Sequence, residues 1–112
     1  MDESELGEVL TTEQPWGKEE VFADVEGRFV GKVLHVRSGE RFALQMHLDE
    51  EEVLSLMSGA VRIDLGEDAD SLTSIVMVQG QTVHLLPSSV HQILATEDSM
   101  LLEVSNASRE FS

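Results

Sequence analysis

The chain has no cysteine, which excludes disulfides and thiolate metal sites and fits a reducing compartment. Basic residues are also scarce, with 7 Lys and Arg against 22 Asp and Glu and a formal net charge of -15. Nucleic acid and anionic membrane are bound by clustered cations that displace counterions, so neither is expected as a partner. No apolar run approaches the length of a membrane span, and the acidic start of the chain is unlike a signal peptide. The expected location is cytoplasmic. Internal repeats, low-complexity segments and a central linker are absent too, so 112 residues make one domain with a single core. The acidic excess aids solubility, and its one mechanistic consequence is that an anionic substrate would need a cation inside the pocket.

What is present is a succession of short β-type segments separated by turn residues. Expected strands are Phe22 to Val25, Phe29 to Arg37, Arg41 to Leu48, Glu52 to Met57, Ala60 to Leu65, Leu72 to Val78, Thr82 to Leu86, His91 to Ala95 and Met100 to Val104. Between them lie Glu26-Gly27-Arg28, Ser38-Gly39-Glu40, Ser58-Gly59, Gln79-Gly80 and Pro87-Ser88-Ser89. This spacing, without a helical period, indicates an all-β sandwich or barrel. The acidic arm of residues 1–14 precedes the domain of residues 15–105, and residues 106–112 form a tail.

Within the third long segment, strand alternation puts Gln45 and His47 on one face, about 6.6 Å apart along the strand and within reach of one metal ion. The polar Asp49-Glu50-Glu51 is expected to turn the chain and return Glu52 on an adjacent strand. An amide oxygen, an imidazole and a carboxylate suit zinc, iron(II), manganese or nickel. His91 is the natural fourth ligand.

The spacing Gly39, Gln45, His47, Glu52, Gly59 resembles the first motif of the cupins, with Gln45 standing where that motif usually has its first histidine. The run from Gly80 to His91 is similar to the second motif, with Leu86 in place of its proline and Ser88 in place of its glycine. Leu44-Gln45-Met46-His47, together with Pro15-Trp16-Gly17, more narrowly resembles the small cupins related to phosphomannose isomerase. The resemblance runs from Pro15 to Ser105. It implies a double-stranded β-helix, or jelly-roll, barrel and a divalent metal, zinc foremost, held by Gln45, His47, Glu52 and His91.

Lys32 shares a strand face with Val30, Leu34 and Val36, which makes it an inward-facing cation: a candidate catalytic group, a substrate contact, or the partner of a carboxylate. Glu50 and Glu51 read as a solvated turn. Related isomerase-like cupins carry Lys or Arg where Glu50 stands and an aromatic residue where Ser55 stands, which disfavours a standard sugar-phosphate site. His84 is expected to face solvent, and Trp16 to cover an end or edge of the sheet. The leading functional expectation is a metal-dependent, isomerase-like cupin that acts on or binds a sugar or sugar-phosphate-like molecule. An iron(II) dioxygenase and a non-catalytic ligand-binding module are the alternatives. A homodimer is expected, because a small β-domain with open sheet edges gains from pairing.

Overall fold

A computed structural model describes residues 6–46 and 50–106, with the backbone alone described for 43–46. The described residues form ten strands, in order β1 (Leu10–Gln14), β2 (Gly17–Val25), β3 (Phe29–Val36), β4 (Arg41–Met46), β5 (Glu52–Ser58), β6 (Ala60–Gly66), β7 (Thr73–Val78), β8 (Thr82–Leu85), β9 (Val90–Ala95) and β10 (Ser99–Ser105). They form a six-stranded sheet ordered β1-β2-β3-β10-β5-β8 and a four-stranded sheet ordered β4-β9-β6-β7. Every pairing is antiparallel. This is the all-β architecture that the strand spacing indicated, in the jelly-roll form that the cupin resemblance implied.

Alternation decides which side chains enter the barrel. On β3, Val30, Lys32, Leu34 and Val36 point inward, as the sequence pattern requires. The core joins Leu34, Leu54 and Leu101 of the larger sheet to Val61, Ile63 and Ile93 of the smaller one. Each such side chain contributes roughly 1.5–3 kcal/mol on leaving water. The chain crosses between the sheets at Gly59, where φ is +90° and an added Cβ would lie 2.4 Å from the Asp98 carbonyl oxygen. Only glycine fits that corner without strain.

Two segments differ from the sequence pattern. Leu10–Gln14, inside the expected arm, pairs with β2 from Leu10↔Val21 to Gln14↔Gly17. Strand β2 itself begins at Gly17 rather than Phe22. Lys18, Glu19 and Glu20 lower its apparent β character, but neighbours on both sides hold its backbone in the sheet. At the turn between β1 and β2, Trp16 stacks on Phe42 of β4 with ring centroids 4.8 Å apart. Arg37 fixes that turn by donating from its backbone N–H to the Trp16 carbonyl (2.9 Å) and from its guanidinium to the Pro15 carbonyl (2.5 Å). Both rings pack, partly buried, against the core.

Candidate metal centre and binding cavity

Glu52 and His91 are brought together inside the barrel from opposite sheets, with His91 Nε2 3.0 Å from Glu52 Oε1. Both side chains are buried. Strands β4 and β5 do not form a hairpin. Strand β4 pairs with β9 in the smaller sheet, whereas β5 pairs with β10 and β8 in the larger one. Glu52 therefore meets the β4–β9 side across the barrel interior instead of from an adjacent strand. The backbone of Gln45 lies opposite His91 in the β4–β9 ladder, just beyond a register shift between Phe42 and Gln45. Such irregularities re-aim side chains at functional sites. His47 lies outside the described residues, as does the side chain of Gln45.

His91 Nδ1 is buried with no hydrogen-bond partner among the described residues. A buried ring nitrogen without a partner is costly unless a ligand satisfies it. With Glu52 alongside, the donor chemistry is imidazole plus carboxylate, which fits a borderline divalent ion. Among the described residues, no group of three His, Asp or Glu is arranged to hold an ion.

Around this pair the interior is unusually rich in carboxylates. Glu103 of β10, 7% exposed, was not identified from the sequence. Its signal was present, because Leu101, Glu103 and Ser105 share the inward parity of an otherwise apolar strand. Burial pushes its carboxyl well above the ordinary value, and the Glu52 charge adds to the effect while Lys32 opposes it. Glu50 is not the solvated residue its setting suggested: it is 9% exposed. Burial, reinforced by the charge of Glu52, raises its carboxyl to about 7. The tract Glu50-Glu51-Glu52 thus divides by side-chain direction. Glu50 and Glu52 turn in, while Glu51 stays outside and pairs with His84, which faces solvent as expected. For Glu52 itself burial raises the carboxyl, but hydrogen bonds with His91 and Glu103 outweigh it and leave the group below its ordinary value.

Lys32, 1% exposed, reaches Glu19 of β2 at 3.6 Å. It is buried and paired with a carboxylate, one of the roles its strand face allowed. Lys32, Glu19, Glu103 and His91 line a cavity of about 410 Å³, with Trp16 and Phe42 among the apolar walls. That volume suits a small polar ligand beside an aromatic surface. Arg41 lies at the exposed side of the same cavity.

Fold and interior together define a cupin domain. The sequence matches the model of the mannose-6-phosphate isomerase C-terminal family over residues 2–106, and the chain belongs to that family. No curated protein matches it. Among solved structures, the capsular polysaccharide assembling protein CapF of Staphylococcus aureus has a TM-score of 0.78 at 17% identity, over 88% of this chain and 30% of its own. KdgF from Halomonas sp. gives 0.73 at 13% identity, over 88% and 86% of the two chains. A deletion mutant of Bacillus subtilis oxalate decarboxylase OxdC gives 0.78 at 15% identity, over 90% and 28%. The chain thus spans about a third of the CapF and OxdC chains it resembles. At these identities the likeness concerns the fold alone.

Proposed function

We propose that the barrel binds one divalent metal ion, zinc foremost, through Gln45, His47, Glu52 and His91, and holds a sugar or sugar-phosphate-like molecule in the adjoining cavity for isomerase-like chemistry. The observation that carries this reading is the buried Glu52–His91 pair, with His91 Nδ1 unsatisfied among the described residues, beside a polar cavity. Family membership supports it. When bound, a divalent ion supplies Lewis acidity toward a carbonyl oxygen.

The protein's own groups supply the rest. Lys32, held by Glu19, presents an N–H donor to a substrate oxygen at the cavity wall. Glu103 keeps a proton on a buried carboxyl, and is placed to give it to, or recover it from, a sugar hydroxyl. Trp16 and Phe42 offer an apolar surface to the C–H face of a sugar ring. The buried acid at position 50, where related isomerase-like cupins carry a cation, is the specific observation favouring the second reading, a ligand-binding module without turnover.

Elemental analysis of untagged protein, followed by titration with hexoses and hexose phosphates, tests the proposal. The expected result is close to one equivalent of a divalent ion per chain, abolished in His91→Ala, with sugar-dependent amide shifts around Lys32. Iron with oxygen consumption would move the assignment to an oxygenase. Sugar binding without turnover would leave the non-catalytic module, and metal-free protein with no sugar response would refute the proposal.

A further inference from the structure

Cations are scarce in this chain, and two of them are engaged by carboxylates: Lys32 by Glu19 and Arg62 by Asp64. Two others, Lys18 and Arg37, line a second cavity of about 430 Å³ that shares no lining residue with the interior one. It lies on the outer face of the six-stranded sheet. Lys18 stands opposite His35 in the β2–β3 ladder, and His35 alternates with the core residues Leu34 and Val36. The same groove is lined by Glu13, which stands opposite Lys18 on β1, and by Asp98, just before β10. Two cations and two carboxylates therefore share one concave surface, and among the described residues none of the four makes an ion pair. His35 beside them is matched by Glu20.

Two of the four charges are fixed in position. Arg37 donates one guanidinium N–H to the Pro15 carbonyl, and Asp98 Oδ1 accepts the Ser38 N–H (2.8 Å), which sets that carboxylate beside Arg37. Each uses one hydrogen bond for anchorage and keeps its other donors or lone pairs for the groove. Groups held in place before binding lose less entropy on taking a ligand. Met100, half-buried on β10, adds a flexible apolar wall.

The balance of sign selects the ligand. A simple anion drawn to Lys18 and Arg37 is repelled by Glu13 and Asp98, and a simple cation finds stronger attraction elsewhere on a chain of net charge -15. A molecule bearing both signs on one carbon satisfies both pairs. We propose that this groove is a second ligand site, separate from the barrel interior, and that it takes a free α-amino acid with an apolar side chain. Lys18 and Arg37 hold its carboxylate, Asp98 holds its ammonium, and Met100 packs against its side chain.

Amide chemical-shift titration of the full chain with L-leucine and L-methionine tests this, with isocaproate and isoamylamine as analogues of leucine that lack the ammonium or the carboxylate. The amino acids are expected to shift Lys18, Arg37, Asp98 and Met100, and each analogue to bind about tenfold or more weakly, because one set of charge-assisted hydrogen bonds is lost. Lys18→Gln and Asp98→Asn are each expected to weaken leucine binding by about tenfold or more. Asparagine keeps the acceptor for the Ser38 N–H, and thermal unfolding confirms that both variants fold. Arg28→Gln, in the β2–β3 turn, is expected to leave binding unchanged. Overturning results are no shift with either amino acid up to its solubility limit, shifts confined to the interior cavity, isocaproate bound as tightly as leucine, or leucine affinity unmoved in both groove variants.

Discussion

Two groups of covered carboxylates in this barrel are built in opposite ways. On the outer face of the smaller sheet, Asp64 accepts two hydrogen bonds from Arg62 (3.1 Å each), one from the Ser74 hydroxyl (2.6 Å) and one from the Gln92 amide (3.1 Å). The Ser74 hydrogen bond is the largest influence, and together with those from Arg62 and Gln92 it holds Asp64 below its ordinary value against a smaller effect of burial. In the interior, Glu50 and Glu103 are pushed the other way, by burial first and by the charge of Glu52 second. A carboxylate that serves structure is surrounded by donors. Carboxylates crowded against one another, with one lysine among them, are held at a cost that a bound cation or a polyhydroxylated ligand would relieve.

The largest effect should come from removing the cation on the interior side. Lys32→Met leaves Glu19 without its cation and Glu103 without the positive charge that opposes its shift, and is expected to cost about 3 kcal/mol or more in urea unfolding at pH 8. A loss near zero at pH 8 would mean that Lys32 does not hold the interior together.

Asp64→Ala tests the other side. It is expected to cost about 1–2 kcal/mol at pH 7, through the donors left on Arg62, Ser74 and Gln92. The folded-state value of Asp64 lies below its ordinary 3.8, so its stabilisation is present above that pH and is lost as pH falls through the folded value. The gap between wild type and variant should therefore close in strong acid, not in the neutral range.

Glu50→Gln should act with the opposite sign. The folded protein holds this proton up to about pH 7, whereas the unfolded chain releases it near 4.5. The destabilisation from ionised Glu50 thus grows as pH rises through that window and is fully present above it. Metal-free Glu50→Gln should be more stable than wild type at pH 8 and equal to it near pH 4, as read by thermal unfolding with chelator present. An advantage that persisted at pH 4 would assign the effect to packing.

The smallest expected change concerns the turn that delivers His91. Ser88 sits at φ +68°, the left-handed conformation that favours glycine. Ser88→Gly is expected to raise stability by about 1 kcal/mol without altering metal content. The gain would separate turn strain from the electrostatic cost of the interior.

The strands were legible because they alternate. Val30, Lys32, Leu34 and Val36 were read as one face, and all four are buried. The glycine in the second cupin motif also left its trace, since Ser88 takes the backbone conformation that glycine would adopt. Which strands become neighbours was less legible. Glu52 lies a few residues beyond β4, so proximity suggested a hairpin, yet β5 belongs to the opposite sheet. Polarity misled at Glu50, because Glu50 and Glu51 read together as a solvated turn although side-chain direction buries Glu50 along with Glu52. Glu103 was missed for a related reason: the partners that explain it are fifty or more residues away in sequence.

The contrast between satisfied and crowded carboxylates can be measured residue by residue with a carbon-13 NMR titration of side-chain carboxyls in metal-free protein. The account predicts that Glu50 titrates at about 7, and Asp64 below 3.8. Glu50 titrating near its ordinary value of 4.5 would contradict it.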